Sequence, residues 1–177
     1  KNDASSLLLP NLKHLKKFKN VSRFDLVKTL ELNTTTIDSE FKKTELDFIK
    51  IDVEGYHLNI LEGSKKKFSE LLGLEVEVEF HNLRLNQPEF YKVINFLKEY
   101  DFELHDILNI IRWERYSYRH TGQPHTCDLL FLKKPEQILD QFNNKLINEE
   151  KLLRYFTILS IYHRTDLLTL VKKKYSK

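Results

Sequence analysis

The chain is poor in the residues that cross-link or punctuate a fold. Among its 177 residues there is one cysteine, and there are only four glycines and four prolines. The lone Cys127 has no partner for an internal disulfide, so a reducing cytoplasm is the expected compartment. Gly55, Gly63, Gly73 and Gly122 lie too far apart to make a glycine-rich ligand-binding turn. No apolar run approaches the roughly 20 residues a membrane-spanning helix requires, and the opening KNDASSLLLPNLKHLKK does not read as a secretory signal. The first residue is lysine, and the natural start of the protein is expected upstream of it. An excess of one charge is lacking too. The 29 basic residues face 26 acidic ones, which argues against the segregated basic face that nucleic acid needs, so no nucleic-acid partner is expected. What the chain does have is core material, 41% hydrophobic residues in a length suited to an ordinary domain, and this excludes disorder.

The most informative stretch runs from Leu46 to Gly63, LDFIKIDVEGYHLNILEG. Phe48, Ile49 and Ile51 form a short apolar run, as in a strand covered on both faces of a parallel sheet. After Asp52, Val53, Glu54 and Gly55 the period changes. Leu58, Leu61, Phe68, Leu71 and Leu72 recur at helical spacing, which predicts a helix ending near Gly73. Ligands of open α/β sheets bind outside the carboxyl ends of the strands, so Asp52 and Glu54 stand where chemistry is done, and Gly55 lets the backbone turn there. The run Ile49, Lys50, Ile51, Asp52, Val53, Glu54, Gly55 resembles the signature strand and turn of the FkbM-type S-adenosylmethionine-dependent methyltransferases. Asn2, Ala4, Ser5 and Ser6, and then Thr36, Ile37 and Asp38, resemble two further stretches of that family.

Around this pivot the chain reads as alternating elements. A loop and a short basic helix precede Arg23, and Val27 to Leu32 suits an edge strand. Asp38 is a candidate N-cap for a helix over Ser39 to Lys43. Leu74, Val76, Val78 and Phe80 alternate with Glu75, Glu77 and Glu79, which predicts a second strand with one wet or salt-bridged face. Pro88 opens a helix reaching Tyr100. Strands follow at Phe102 to Ile111 and at Cys127 to Lys134. Between them Arg112, Trp113, Arg115, Tyr116, Tyr118 and Arg119 suit either a substrate lid or a plain surface loop. Beyond Pro135, two helical segments, Glu136 to Ile147 and Glu149 to Tyr175, read as an appended hairpin. The expected division is therefore 1–134 and 135–177.

The resemblance, taken over Asn2 to Lys134, implies an α/β fold: the second half of a Rossmann-like class I methyltransferase sheet, mostly parallel with its last strand antiparallel. It also implies S-adenosylmethionine as cofactor, held beside Asp52 and Gly55, and O-methylation of a hydroxyl on a sugar or other small metabolite. Asp52, Glu54, Glu79 and His81 are the candidate catalytic groups, since a hydroxyl nucleophile needs a nearby base. Glu75 and Glu77 are read as structural, and no metal site is expected. The family's glycine-rich donor turn lies upstream of these residues, so this piece is expected to lack the donor-binding half and to be inactive alone. The signature strand would then be an open edge, inviting self-association. The alternative is a non-catalytic half-domain acting as a binding or assembly module.

Overall fold

The computed structural model describes residues 4–19, 21–115 and 122–175. Four strands form one sheet: β1 (Phe48–Ile51), β2 (Gly73–Glu79), β3 (Phe102–Trp113) and β4 (Gln123–Lys133), in the order β1-β2-β4-β3. β1 and β2 are parallel, while β4 runs antiparallel to both β2 and β3. Three strands therefore share one direction and the last in sequence opposes them, as expected for a mixed α/β sheet of methyltransferase type. Among the described residues β1 pairs with β2 alone and is an edge strand.

Each sheet face has its own cover. Ile51, Val76, Val78, Leu129 and Phe131 pack with Leu61 of α3 (His57–Glu62) and with Val93 and Leu97 of α4 (Phe90–Lys98). Leu72, Leu130 and Leu132 pack on α5 (Pro135–Asn143), α6 (Glu149–Ile161) and α7 (Thr165–Tyr175). The carboxyl-terminal segment thus forms three helices and not a hairpin. The second predicted helix breaks at His163, whose φ of 54° is left-handed, and the Arg164 N–H turns back to Leu159 O at 2.7 Å. These helices leave the upper part of their sheet face open, where Lys50 and Asp52 are exposed.

Three further expectations are corrected. Val27 to Leu32 is not a strand: Val27 is 93% exposed, and without a neighbouring ladder extended residues have nothing to pair with. The helix after the signature strand stops at Gly63, ten residues early. The Ser64 hydroxyl donates to Ile60 O at 2.6 Å, and a 3-10 turn over Lys65–Lys67 carries Phe68 and Leu71 into the core. Gly73 instead begins β2, where a Cβ would meet Leu132 Cδ2 at 2.7 Å and Phe131 O at 2.8 Å. Finally, Thr36 caps α2 (Ile37–Glu40), accepting from the Ser39 N–H at 3.2 Å. Asp38 accepts from the Lys66 N–H at 3.1 Å and so caps the 3-10 turn.

The amino-terminal residues, including α1 (Leu12–Leu15), form a strap over the carboxyl ends of β1 and β2. Pro10 bridges Arg84, Asn11 N–H donates to Leu83 O and Leu85 N–H to Leu9 O, both at 2.8 Å. Leu15 and Phe24 bury against Leu83 and Trp113.

Candidate active site

The parallel register sets Ile51 opposite Val76 and so brings Asp52 level with Glu77. Asp52 is exposed, while Glu77 lies half-buried beside it and shares a side-chain hydrogen bond with it. Two carboxylates cannot bond each other without a proton between them. Burial first, then the Asp52 contact, pushes the Glu77 carboxyl up to about 9. Lower on the same face, Glu75 is paired with Lys50 and accepts from the Tyr162 hydroxyl, which makes it a structural anion. Asp128 accepts from Asn109 Nδ2 at 2.8 Å and lies 4.0 Å from Lys50 Nζ.

The turn after β1 is built by two left-handed residues, Glu54 (φ 51°) and Gly55 (φ 95°). The Glu54 carbonyl accepts from Ser6 Oγ at 2.7 Å, and its carboxylate accepts from Arg84 Nη2 at 2.8 Å. A Cβ at Gly55 would meet Arg84 Cγ at 3.2 Å and Gln87 Cδ at 3.3 Å, so protein side chains fill the space beside it. Glu79 is 2% exposed, accepts from Gln87 Nε2 at 3.0 Å, and lies 3.6 Å from His57 Nδ1. Burial, then the Glu54 charge, pushes Glu79 up to about 7. His57 is pushed down to about 4 by burial, so near neutral pH its contact with Glu79 joins a neutral imidazole to a carboxyl group in mid-titration and is not a salt bridge.

His81 stands apart from this group. Its ring stacks on His14 at 5.3 Å and meets His125 edge-on at 6.0 Å, and His125 in turn stacks on Trp113. The described part of the expected lid contributes Trp113 to this cluster, and Arg115 lies over Phe18; Tyr116, Tyr118 and Arg119 lie outside the described residues. A cleft of about 770 Å³ lined by Glu45, Lys151 and Arg154 lies at the other end of β1, where Lys151 and Arg154 are already paired with Asp47. Among the described residues no three His, Cys, Asp or Glu side chains are arranged to hold a metal ion, and no helix is long and apolar enough to cross a membrane.

The model of the FkbM methyltransferase domain matches residues 2–104, more than half of the chain. The chain belongs to the FkbM methyltransferase family. No curated protein and no solved structure matches it. The family match ends inside β3, so β4 is tied to the FkbM domain by its register with β2 and not by the match.

Within this FkbM domain the structure brings Asp52, Glu54 and Glu79 to one end of the sheet and sets His81 beneath the strap. Sequence reasoning missed four participants: Glu77, His57, Arg84 and Gln87. Glu77 lies one strand period from Glu79 on the same face, a signal that was present, but its level against Asp52 depends on long-range register. As for a methyl donor, an exposed carboxylate with an acid beside it suits the cationic amine and sulfonium end of S-adenosylmethionine. The space beside Gly55 is occupied by Arg84 and Gln87.

Proposed function

We propose that the chain forms the acceptor side of an S-adenosylmethionine-dependent O-methyltransferase site, with Asp52 as the base for an acceptor hydroxyl. The observation that carries this reading is the Asp52–Glu77 pair on the open face at the carboxyl ends of β1 and β2. Glu77, protonated at neutral pH, donates to one Asp52 oxygen and fixes it. The other oxygen is free to take the hydroxyl proton as the acceptor oxygen attacks. When bound, S-adenosylmethionine supplies a methyl group on sulfur, and the carbon–sulfur bond breaks as the new carbon–oxygen bond forms, leaving a thioether. Asp52 and Glu77 are the residues here that would face its cationic end. Glu54, paired with Arg84, holds the turn, and Glu79 is a buried acid behind it. His81 serves the strap in this scheme. Three strands in one direction with the last opposed support the Rossmann-like reading of residues 1–134, with 135–177 as a helical extension.

The test uses the full-length natural protein, labelled S-adenosylmethionine and a panel of small hydroxylated acceptors. Asp52→Asn is expected to lower turnover about 100-fold or more with unchanged circular dichroism. Wild-type turnover in that variant would remove Asp52 from the chemistry, and absence of any labelled product from the wild type would remove the O-methylation reading.

A second reading rests on the edge of β1, which among the described residues pairs with β2 alone and so leaves part of its ladder groups unused. Strand addition by a second copy would make the chain an assembly module. Sedimentation of the chain at increasing concentration separates the two: a dimer abolished by Lys50→Pro, at a position whose N–H faces away from β2, favours assembly, and a monomer throughout excludes it.

A further inference from the structure

Arg84 is 2% exposed, a costly place for a guanidinium, and among the described residues its buried Nε finds no acceptor, so Nη2 carries the polar contacts. Its Nη2 donates both to Ala4 O of the strap at 2.9 Å and to Glu54 Oε2 at 2.8 Å, while its charge lies 4.7 Å from the Phe24 ring centre. Its backbone N–H donates to Gln87 Oε1 at 3.1 Å. That bond fixes which way the Gln87 amide points, and the Nε2 end is then the one that donates to Glu79 Oε2. One residue thus reaches Glu54 through its side chain and Glu79 through its backbone N–H and Gln87, with the Ala4 carbonyl of the strap on the same guanidinium.

We propose that Arg84 is a positioning residue that locks the amino-terminal strap onto the site and fixes the Glu54 and Glu79 carboxyls in place. This deepens the acceptor-site reading and rests on it for its functional meaning. The geometry makes the strap part of the site: lifting Ala4 or Phe24 removes a neighbour of the cation that holds Glu54. Arg84 also opposes the upward push on Glu79 from burial and from Glu54 and Asp52. Glu79 is faced by Asp52 and Glu54 after β1, by His57 on α3, by Glu77 on its own strand, and by Arg84 and Gln87 in the following loop.

The test is a carbon-13 carboxyl titration of Glu79 in the full chain, with amide exchange of Asn11 and Leu85 reporting on the strap. Arg84→Met is expected to raise the Glu79 midpoint by about one pH unit and to speed strap exchange. Arg84→Lys, which keeps the charge but ends about one bond short of the Nη2 position, is expected to restore the midpoint while strap exchange stays fast. An unshifted midpoint in folded Arg84→Met, or equal shifts in both variants, would overturn the proposal by reducing Arg84 to packing. Should Arg84→Met not fold, Arg84→Lys decides alone: strap exchange faster than wild type is expected, and wild-type strap exchange overturns the proposal. The titration needs neither donor nor acceptor, so its failure and that of the transfer assay are separate results.

Discussion

At the scale of single residues, the site depends on where the backbone turns left-handed. Gly55, at φ 95°, lies against Arg84 and Gln87 with no room for a methyl group that does not push them aside. Gly55→Ala is therefore expected to lose about 1–3 kcal/mol in urea unfolding; an unchanged midpoint would show that the turn relaxes freely. Asp52, Glu54 and Gly55 were legible in the sequence because they follow an apolar run and precede a helical period, a purely local signal. Glu77 was not. Its depth along β2 is set by the pairing of Ile51 with Val76, residues brought together only by the fold. His81 follows the same strand and looked like a partner for the carboxylates, yet its ring lies in the His14–His125 cluster.

At the scale of elements, the strap is held by polar bonds to the loop after β2 and by a cluster of three imidazoles from three elements: His14 on α1, His81 after β2 and His125 on β4. The charged groups acting on the cluster are cations: Lys17 beside α1, Arg23 in the turn before Phe24, and Arg115 after β3. Burial is the leading cause that lowers all three histidines from 6.5, His125 to about 3. Folded-state values below the unfolded value mean that this cluster's stabilisation is present above pH 6.5 and is lost as pH falls toward the folded values. Amides of Asn11 and Leu85, corrected for intrinsic rate, are expected to lose exchange protection on acidification before those of β2 and β4. Simultaneous loss would mean that strap and sheet open as one. The four strands were legible, β2 from its two-residue period and the others from short apolar runs, but Val27 to Leu32 shows what composition cannot supply, since strand propensity without a partner leaves an exposed, unpaired segment. The overlong helix has a similar origin: Phe68 and Leu71 are buried as their spacing implied, but from a 3-10 turn and the residues after it, past the stop at Gly63.

At the scale of the whole molecule, buried acids and buried histidines pull the stability profile in opposite directions. Glu77 and Glu79 are raised from 4.5 to about 9 and about 7, so the folded chain holds their protons longer than the unfolded chain, and stability falls as pH rises through those values. His57 and His125 are lowered from 6.5 to about 4 and about 3, so stability falls as pH drops below 6.5. The melting temperature is expected to be highest between pH 4.5 and 6.5 and to decline toward pH 9. A melting temperature that rises steadily from neutral to alkaline pH would contradict both carboxyl assignments. The account rests most heavily on a protonated acid held beside Asp52, and infrared spectroscopy reads that proton directly. At a pH between the titration of Glu79 near 7 and that of Glu77 near 9, the wild type should show one carboxylic-acid carbonyl band that Glu77→Gln removes. No such band, or one that survives in Glu77→Gln, would contradict the account.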